Sequence, residues 1–276
     1  MRLHLTVLAT LAAMVGAAAL ATAQQPVPTV TVDASPTAVT LAPAGPVPAG
    51  PTRMNFVRPA GVTKELDAYV ALLVPGVTVD QLQKTLLAEE QTQGEASIGL
   101  VSIQASALIP EGQSSAAVTF NVKPGLTYVL VIEQPNDKAP TTRSITTFTS
   151  GTDANGATAP APSATVRMQA LHFRGASTFK QTGTVRFENR DGVAHFALAF
   201  PLRKGTTTAK LGKAVTSERA FNKLVAGPPY MAQNILSGGD TTNDQELKFP
   251  TKGRYGLLCF IDGHERLGMY RIITVR

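Results

Sequence analysis

The sequence predicts an all-β protein built from two similar halves. Gly and Pro together make up 42 of the 276 residues and aromatic residues only 6%, which favours short strands joined by many turns. Apolar residues come in short runs or alternate with polar ones, as they do in strands. The clearest predicted strands are residues 117–122, 128–132, 185–187, 195–202, 255–261 and 270–275.

The amino-terminal segment has the pattern of a secretory signal peptide. Arg2 precedes an apolar stretch over residues 5–20, and Ala21-Thr22-Ala23 supplies the small residues of a cleavage site. Residues 1–23 are therefore expected to be removed after Ala23, in a protein that is secreted or periplasmic. No later segment has the roughly 18 to 20 consecutive apolar residues of a membrane span.

The next segment, residues 24–51, is rich in Pro, Ala, Thr and Val and has almost no charge. This composition predicts an extended tether that precedes the folded part of the chain.

An internal repeat divides the remaining chain. Residues 66–82 parallel residues 195–211, and residues 122–132 parallel residues 249–259, at offsets of 129 and 127. Both matches fit one duplicated unit. We expect a first domain over residues 52–150, a linker rich in Gly, Ala, Thr and Pro over residues 151–162, and a second domain over residues 163–276.

Each half is also expected to contain one helix. Thr78 and Gln81 have the spacing of a capping box, in which each side chain bonds the other residue's backbone N–H. In the second half, Leu211 and Val215, followed by Phe221 and Leu224, repeat the apolar spacing of a helix.

The net charge of +6 comes from 25 Lys and Arg residues against 19 Asp and Glu residues. The basic residues form no run interleaved with aromatic ones, so nucleic acid is not expected as a partner. The charge is interpreted as aiding solubility and weak steering toward acidic partners.

The chain contains a single cysteine, Cys259, which cannot form a disulfide within its own chain. Cys259, His264 and Met269 follow one another at a C-x4-H-x4-M spacing, and Asp262-Gly263 supplies a turn between the first two. A second imidazole, His195, lies at the start of a predicted strand. Two His, one Cys and a weak axial Met form the ligand set of a blue-copper site, which predicts copper as the cofactor. His172 is interpreted as an ordinary strand residue.

The segment from Tyr255 through Cys259 and His264 to Met269 resembles the ligand loop of the cupredoxins, the plastocyanin and azurin type of copper protein. The turn over residues 189–195 is similar to the one that leads into this family's first His ligand. The resemblance covers residues 160–276 and implies a Greek-key β-sandwich with His195, Cys259 and His264 as equatorial ligands and Met269 as the axial ligand.

Two departures accompany the resemblance. Many family members have Asn after the first His ligand, where this chain has Phe196. The first half has Leu66 at the position of His195 and Ile132 near that of Cys259, and it contains neither His nor Cys. The first half is therefore expected to be a degenerate copy without a metal site.

The predicted function is one-electron transfer without bond chemistry, in partnership with an unidentified redox protein. The three His residues of the mature chain include no His-x-His pair, so a multicopper oxidase cluster is not expected, and no hydrolase motif is present. The protein is thus predicted not to be an enzyme. Electrons would leave at His264, through an apolar patch formed by Gly192, Val193, Leu267, Gly268 and residues 228–231.

Two alternatives remain open on the sequence. One is a metal-free cupredoxin-like module with a binding or structural role. The other is a copper storage or delivery protein that uses the same ligands. The sequence does not determine the oligomeric state.

Overall fold

A computed structural model describes residues 25–92, 96–135 and 140–276. These residues form seventeen strands, three α-helices and two short 3₁₀ segments, which confirms the all-β prediction. The predicted signal peptide lies outside the described residues and stays a prediction. Among the helices that are described, none has the length and apolar character needed to cross a membrane.

The first half contains eight strands and one helix. The strands are β1 (Thr29–Asp33), β2 (Thr40–Ala42), β3 (Val47–Val57), β4 (Leu66–Leu73), β5 (Val101–Ile109), β6 (Ser115–Val122), β7 (Thr127–Gln134) and β8 (Thr142–Ala154). Helix α1 (Val79–Thr92) and a 3₁₀ segment (Ala96–Leu100) lie between β4 and β5.

The second half contains nine strands and two short helices. The strands are β9 (Ala164–Met168), β10 (Phe173–Gly175), β11 (Thr178–Phe179), β12 (Thr182–Asn189), β13 (His195–Pro201), β14 (Tyr230–Leu236), β15 (Thr241–Lys248), β16 (Gly253–Leu258) and β17 (Tyr270–Val275). Helices α2 (Thr208–Ala214) and α3 (Glu218–Asn222) follow β13, and a 3₁₀ segment (Ile261–Leu267) joins β16 to β17.

The strand pairing of the first half recurs in the second. In the first half β1 pairs in parallel with β3, and in the second half β9 pairs in parallel with β12. The antiparallel pairs β4 with β5 and β7 correspond to β13 with β14 and β16. The pairing of β7 with β8 corresponds to that of β16 with β17. This agreement extends the sequence repeat to the topology.

Each half is a sandwich of two sheets around its own apolar core. In the first half, Met54 and Phe56 on β3 pack against Tyr128 and Leu130 on β7, in the sheet whose strand order is β8–β7–β4–β5. In the second half, Val185 and Phe187 on β12 belong to the same core as Leu257 and Ile273 of the opposite sheet. The core that the second sandwich encloses includes Cys259 and Met269.

The two sandwiches share one sheet. Strand β6 of the first half pairs antiparallel with β15 of the second, with Phe120 opposite Asn243 and Val118 opposite Gln245. Beside this ladder, polar side chains connect β5 to the end of β14 and to Ser237, the residue after it. Ser237 Oγ accepts from the backbone N–H of Ile103 at 2.8 Å, and Ser106 Oγ donates to the carbonyl of Ile235 at 2.6 Å. The halves therefore meet through backbone pairing and buried polar contacts.

The prediction of a tether over residues 24–51 was wrong, because β1, β2 and the start of β3 lie within this segment. Val30, Val32 and Ala34 are buried, whereas Thr29 and Thr31 are exposed. This alternation is that of a strand with one face on the core, and the many Pro residues of the segment obscured it.

The predicted linker over residues 151–162 was partly wrong, because β8 continues to Ala154. Only residues 155–162 have no strand or helix. Asn155, at the start of this stretch, donates from its side chain to the carbonyl of Pro51 at 2.9 Å, so the connection is anchored to the first half.

The helix of the first half begins as predicted. The backbone N–H of Thr78 donates to Gln81 Oε1 at 2.8 Å, and the N–H of Gln81 donates to Thr78 Oγ1 at 3.2 Å, which confirms the capping box. The prediction of one helix in the second half was wrong. Ser217 accepts from the N–H of Ala220 and caps a second helix, so the segment divides into α2 and α3.

Candidate metal centre

His195 is held at the first residue of β13 by the turn that precedes it. The side-chain amide of the fully buried Asn189 donates to the carbonyls of Val193, at 2.8 Å, and Leu236, at 3.0 Å. His195 itself lies opposite Leu236 of β14 in the strand register. Both ends of the turn are thereby tied to neighbouring strands, which directs the imidazole into the sandwich.

Cys259 follows the last residue of β16. Its backbone N–H donates to the carbonyl of Met269 at 3.2 Å, and the N–H of Met269 donates to the carbonyl of His264 at 2.9 Å. Asp262 and Gly263 have left-handed φ angles of 47° and 75° between these residues, as a tight bend requires. The predicted strand over residues 255–261 therefore ends at Leu258, where this loop begins.

The side chains of His195, Cys259 and His264 converge. Nδ1 of His195 and Nδ1 of His264 are 3.2 Å apart, and Cys259 Sγ lies 3.8 Å from the first and 3.6 Å from the second. All three residues are buried. In the part of the chain that the structure describes, this is the only group of three or more His, Cys, Asp or Glu residues able to hold a metal ion.

These distances suit a bound ion. With metal–nitrogen bonds of about 2.0 Å and a metal–sulfur bond of about 2.3 Å in tetrahedral arrangement, two nitrogens lie about 3.3 Å apart and a nitrogen and the sulfur about 3.5 Å apart. The three atoms of this chain form a triangle of nearly that size. One ion can therefore contact all three.

Met269 is also fully buried. Its backbone forms hydrogen bonds with the backbones of Cys259 and His264, and its side chain belongs to the same core cluster as Cys259. The fourth predicted ligand thus lies in the same loop and the same core as the thiol.

Asp191 orients the ring of His195. Its Oδ2 lies 2.8 Å from Nε2 of His195 and accepts the N–H of Leu171 at 3.0 Å, and its Oδ1 accepts the N–H of Ala170 at 2.6 Å. Burial raises the pKa of Asp191, but these donors outweigh burial and leave the pKa below its ordinary value. Because an ionised carboxylate only accepts hydrogen bonds, the proton of neutral His195 lies on Nε2 and its Nδ1 lone pair faces the centre.

Sequence reasoning missed the role of Asp191. The residue stands in the turn over residues 189–195 that was recognised, four positions before His195. That spacing was the available signal, but the backbone donors that fix the carboxylate come from the distant turn between β9 and β10.

Burial controls protonation at the centre. It raises the pKa of the Cys259 thiol to about 11, although the backbone N–H groups of Phe196 and Ile261 donate to the sulfur and lower the pKa, and the nearby acids Glu265 and Asp262 raise it further. Burial also lowers the pKa of His195, against the opposing effect of Asp191. At neutral pH the metal-free centre therefore holds a neutral thiol and a neutral imidazole, and a cation is needed to form the thiolate.

Phe196 takes part in the site through its backbone. Where many cupredoxins have Asn, its N–H supplies a hydrogen bond to the sulfur without a polar side chain.

His172 lies outside the centre. It belongs to the turn before β10 rather than to a strand, so that prediction was wrong. The residue is exposed, and its Nδ1 lies 3.1 Å from the carbonyl of Gly268 in the ligand loop.

The first half has core side chains where the second has candidate ligands. Leu66, the first residue of β4, and Ile132 on β7 are both fully buried among other apolar residues. The corresponding strands of the second half begin with His195 and run into Cys259.

The predicted patch beside His264 is only partly present. Val193 and Leu267, which flank the ligands in sequence, are 49% and 61% exposed. Residues 228–231, however, meet β13 at Leu198 and Ala199, whereas His195 is opposite Leu236. Tyr230, opposite Ala199, is therefore four residues along β13 from His195, about 13 Å away, so this segment does not lie beside the first His of the metal centre.

No family model and no curated protein matches the chain. Among solved structures, it is similar to auracyanin B at 21% identity, over 43% of this chain and 93% of the other, with a TM-score of 0.27. It is similar to auracyanin A, a blue copper protein of Chloroflexus aurantiacus, at 24% identity over 41% and 96%, with a TM-score of 0.28.

A longer match is the copper nitrite reductase of Nitrosomonas europaea, at 12% identity over 90% of this chain and 93% of the other, with a TM-score of 0.25. With scores this low, the metal assignment depends on the geometry of the chain's own side chains. In its ligand motif, its all-β sandwich and its buried His-Cys-His group, the carboxy-terminal half is similar to the cupredoxins.

Proposed function

We propose that the protein is an exported type 1 copper protein that carries single electrons. The observation that supports this most directly is the buried triangle of two imidazole nitrogens and one sulfur, with sides of 3.2 to 3.8 Å. His195, Cys259, His264 and Met269 would hold the copper ion at the proposed site.

The donor set suits copper in both oxidation states. Thiolate and thioether are soft ligands that favour Cu(I), whereas imidazole also binds Cu(II). When bound, copper would supply a one-electron couple between these two states. The protein's part is to keep Nδ1 of His195 free through Asp191, to stabilise the sulfur with two backbone N–H groups, and to exclude water from the buried ligands.

The same residues support a carrier rather than an enzyme. In the proposed arrangement, all of the ion's ligands are protein side chains. The three His residues that follow the predicted signal peptide are too few for an oxidase cluster. Outer-sphere electron transfer needs no open coordination position. The partly exposed loop around His264, with Val193 and Leu267 on its surface, is one proposed point of contact for a redox partner.

An absorption spectrum of the mature protein tests the proposal. Added Cu(II) is expected to produce an intense visible charge-transfer band from the thiolate and to raise the melting temperature, since the ion binds only the folded state. Cys259→Ser should abolish the band while the protein still folds. His172→Ala should keep the band, because it removes an exposed imidazole that contacts the loop only at the Gly268 carbonyl and is not a proposed ligand.

The outcomes distinguish the alternatives. A colourless protein whose melting temperature does not respond to Cu(II) would contradict copper binding and favour a metal-free module. A coloured protein that exchanges Cu(I) readily but shows no reversible electrochemistry would favour storage or delivery over electron transfer.

A further inference from the structure

The positive charge of the chain is concentrated in one short segment. Residues 203–223 contain six Lys and Arg residues and one acid, Glu218. The other 255 residues contain 19 basic and 18 acidic residues, so they are close to neutral. Nearly all of the net charge of +6 thus belongs to the segment that includes α2 and α3.

All six cations of this segment are exposed. The opposite face of the two helices packs on the sandwich through Leu211, Ala214, Val215 and Phe221, which contact Leu258. The apolar face fixes the helices in place. Lys210, Lys213, Arg219 and Lys223 form the basic face that is directed to solvent, and Arg203 and Lys204 lie in the turn before α2. None of the ion pairs between described residues involves these six cations.

The corresponding helix of the first half has the opposite character. Helix α1 contains three acids and one lysine, Lys84, which pairs with Asp80 at 2.8 Å. The basic face is therefore not a general property of the helix inserted at this position of the duplicated unit. It is found only in the half that contains the proposed metal centre.

Aromatic rings connect this face to the centre. Phe260 follows Cys259 directly, and its ring lies 6.3 Å from that of Phe221 on α3 and 5.9 Å from that of Phe200. The Phe200 and Phe221 rings are 4.8 Å apart. Arg219 and Lys223 are two residues before and two residues after Phe221. The basic surface therefore lies next to the rings of Phe200 and Phe221, which contact Phe260.

We propose that the basic face of α2 and α3 is the docking surface for an acidic one-electron acceptor protein, with Phe260 linking it to the Cys259 side of the metal centre. This inference rests on the proposed copper function. In each encounter copper would lose one electron and the acceptor's redox group would gain it, with no bond made or broken and no proton transferred.

Charge complementarity is the argument for this occupant. A concentrated positive field speeds encounters with an acidic partner by about 10- to 1,000-fold at low salt. Weak redox encounters need only small interfaces, which two short helices can provide. An electron carrier must also release its partner quickly. Surface charges allow this because solvent and salt screen their attraction.

Electron transfer from the reduced, copper-loaded chain to hexacyanoferrate(III), an anionic oxidant, tests the surface. The double variant Lys213→Glu with Lys223→Glu is compared with Lys64→Glu and Lys123→Glu, two exposed lysines of the first half, because both pairs change the net charge equally. At about 10 mM salt the first pair should lower the second-order rate about tenfold or more and the control pair much less. The difference should disappear near 1 M salt, where the Debye length is about 3 Å.

A second readout does not need copper. Hexacyanocobaltate(III), a redox-inert anion of the same charge, should shift the amide resonances of residues 203–223 in the metal-free protein and should not do so in the α2–α3 double variant. Phe260→Leu should leave this binding intact and lower the electron-transfer rate severalfold. An unchanged rate in Phe260→Leu would overturn the link through Phe260.

The failures are distinguishable. Equal slowing by both charge-reversal pairs, or shifts spread over the whole chain, would overturn the docking surface while leaving the copper function intact. No reaction with hexacyanoferrate(III) in the unmodified protein would contradict the electron carrier itself. Lysine-dependent binding to phosphatidylglycerol vesicles, without any effect of the variants on hexacyanoferrate(III), would identify a membrane contact and overturn the protein partner.

Discussion

Individual residues determine whether the centre is ready to receive a metal. The spacing of Cys259, His264 and Met269 predicted three candidate ligands, because one loop presents them. The spacing did not reveal Asp191, since an acid in a turn is usually solvated. Here the carboxylate is held by Ala170 and Leu171 while it fixes the ring of His195, a position that depends on the fold.

Replacing Asp191 by Asn tests this role. The amide keeps the size of the side chain but loses the charge, and its NH₂ group would face N–H donors. We expect Cu(II) affinity to fall about 10- to 100-fold, as it does when a carboxylate that accepts a hydrogen bond from a metal-binding His is removed. We expect the reduction potential to rise because His195 becomes a weaker donor to Cu(II).

Competitive metal titration and voltammetry measure these two effects. Asp240→Asn is the matched control, since Asp240 is an exposed acid whose one ion pair among the described residues is with Arg190, at 2.9 Å. Equal affinities and potentials in Asp191→Asn and Asp240→Asn would show that Asp191 does not tune the site.

Single elements were predicted where their pattern was local. The capping box at Thr78 and the strands over β6, β7 and β17 follow from a few neighbouring residues. Strand β1 was missed because its alternating Thr and Val residues stand among prolines. The division of the predicted second helix into α2 and α3 depends on the cap at Ser217. The apolar spacing that predicted one helix did not reveal this cap.

Strand β4 contributes a carboxyl with an unusual pKa. Burial raises the pKa of Asp67 to about 7, helped by the negative charges of Glu65 and Glu133, whereas the hydrogen bond from Asn234 on β14, at 2.7 Å, lowers it. Because the folded-state pKa exceeds the ordinary 3.8, this group stabilises the fold most below about pH 4. That stabilisation is lost as the pH rises to about 7.

Asp67→Asn should therefore raise the free energy of unfolding above pH 7. The variant can still accept the hydrogen bond from Asn234 but has no charge to bury. The expected gain at pH 8 is about 2 to 4 kcal/mol, with little or no gain at pH 4. Denaturant unfolding at both pH values measures it, and a gain that does not depend on pH would contradict the raised pKa.

At the scale of the whole molecule, the shared sheet couples the two halves. Strands β6 and β15 pair across the boundary, and the bonds of Ser237 and Ser106 add buried polar contacts beside them. Separating the halves would expose the edges of both strands and exchange these buried hydrogen bonds for bonds to water, at a net cost of about 0.5 to 1.5 kcal/mol each.

The full chain should accordingly unfold in one cooperative transition. Calorimetry of the metal-free protein should give equal calorimetric and van't Hoff enthalpies, and Cu(II) should shift the whole transition upward although it binds only the second half. Cys259→Ser should remove the shift. Two resolved transitions, of which copper moves only one, would show that the halves are independent.

The sequence by itself determined the strand-rich class, the duplication and the candidate ligands of the loop from Cys259 to Met269, because periodicity and short spacings are encoded by neighbouring residues. The tertiary structure decided which distant segments meet: His195 with the loop, Asp191 with the turn between β9 and β10, and β6 with β15. Local patterns specify which face of a strand is buried. They do not specify its partner, since many pairings would bury the same faces and only packing of the whole chain selects one.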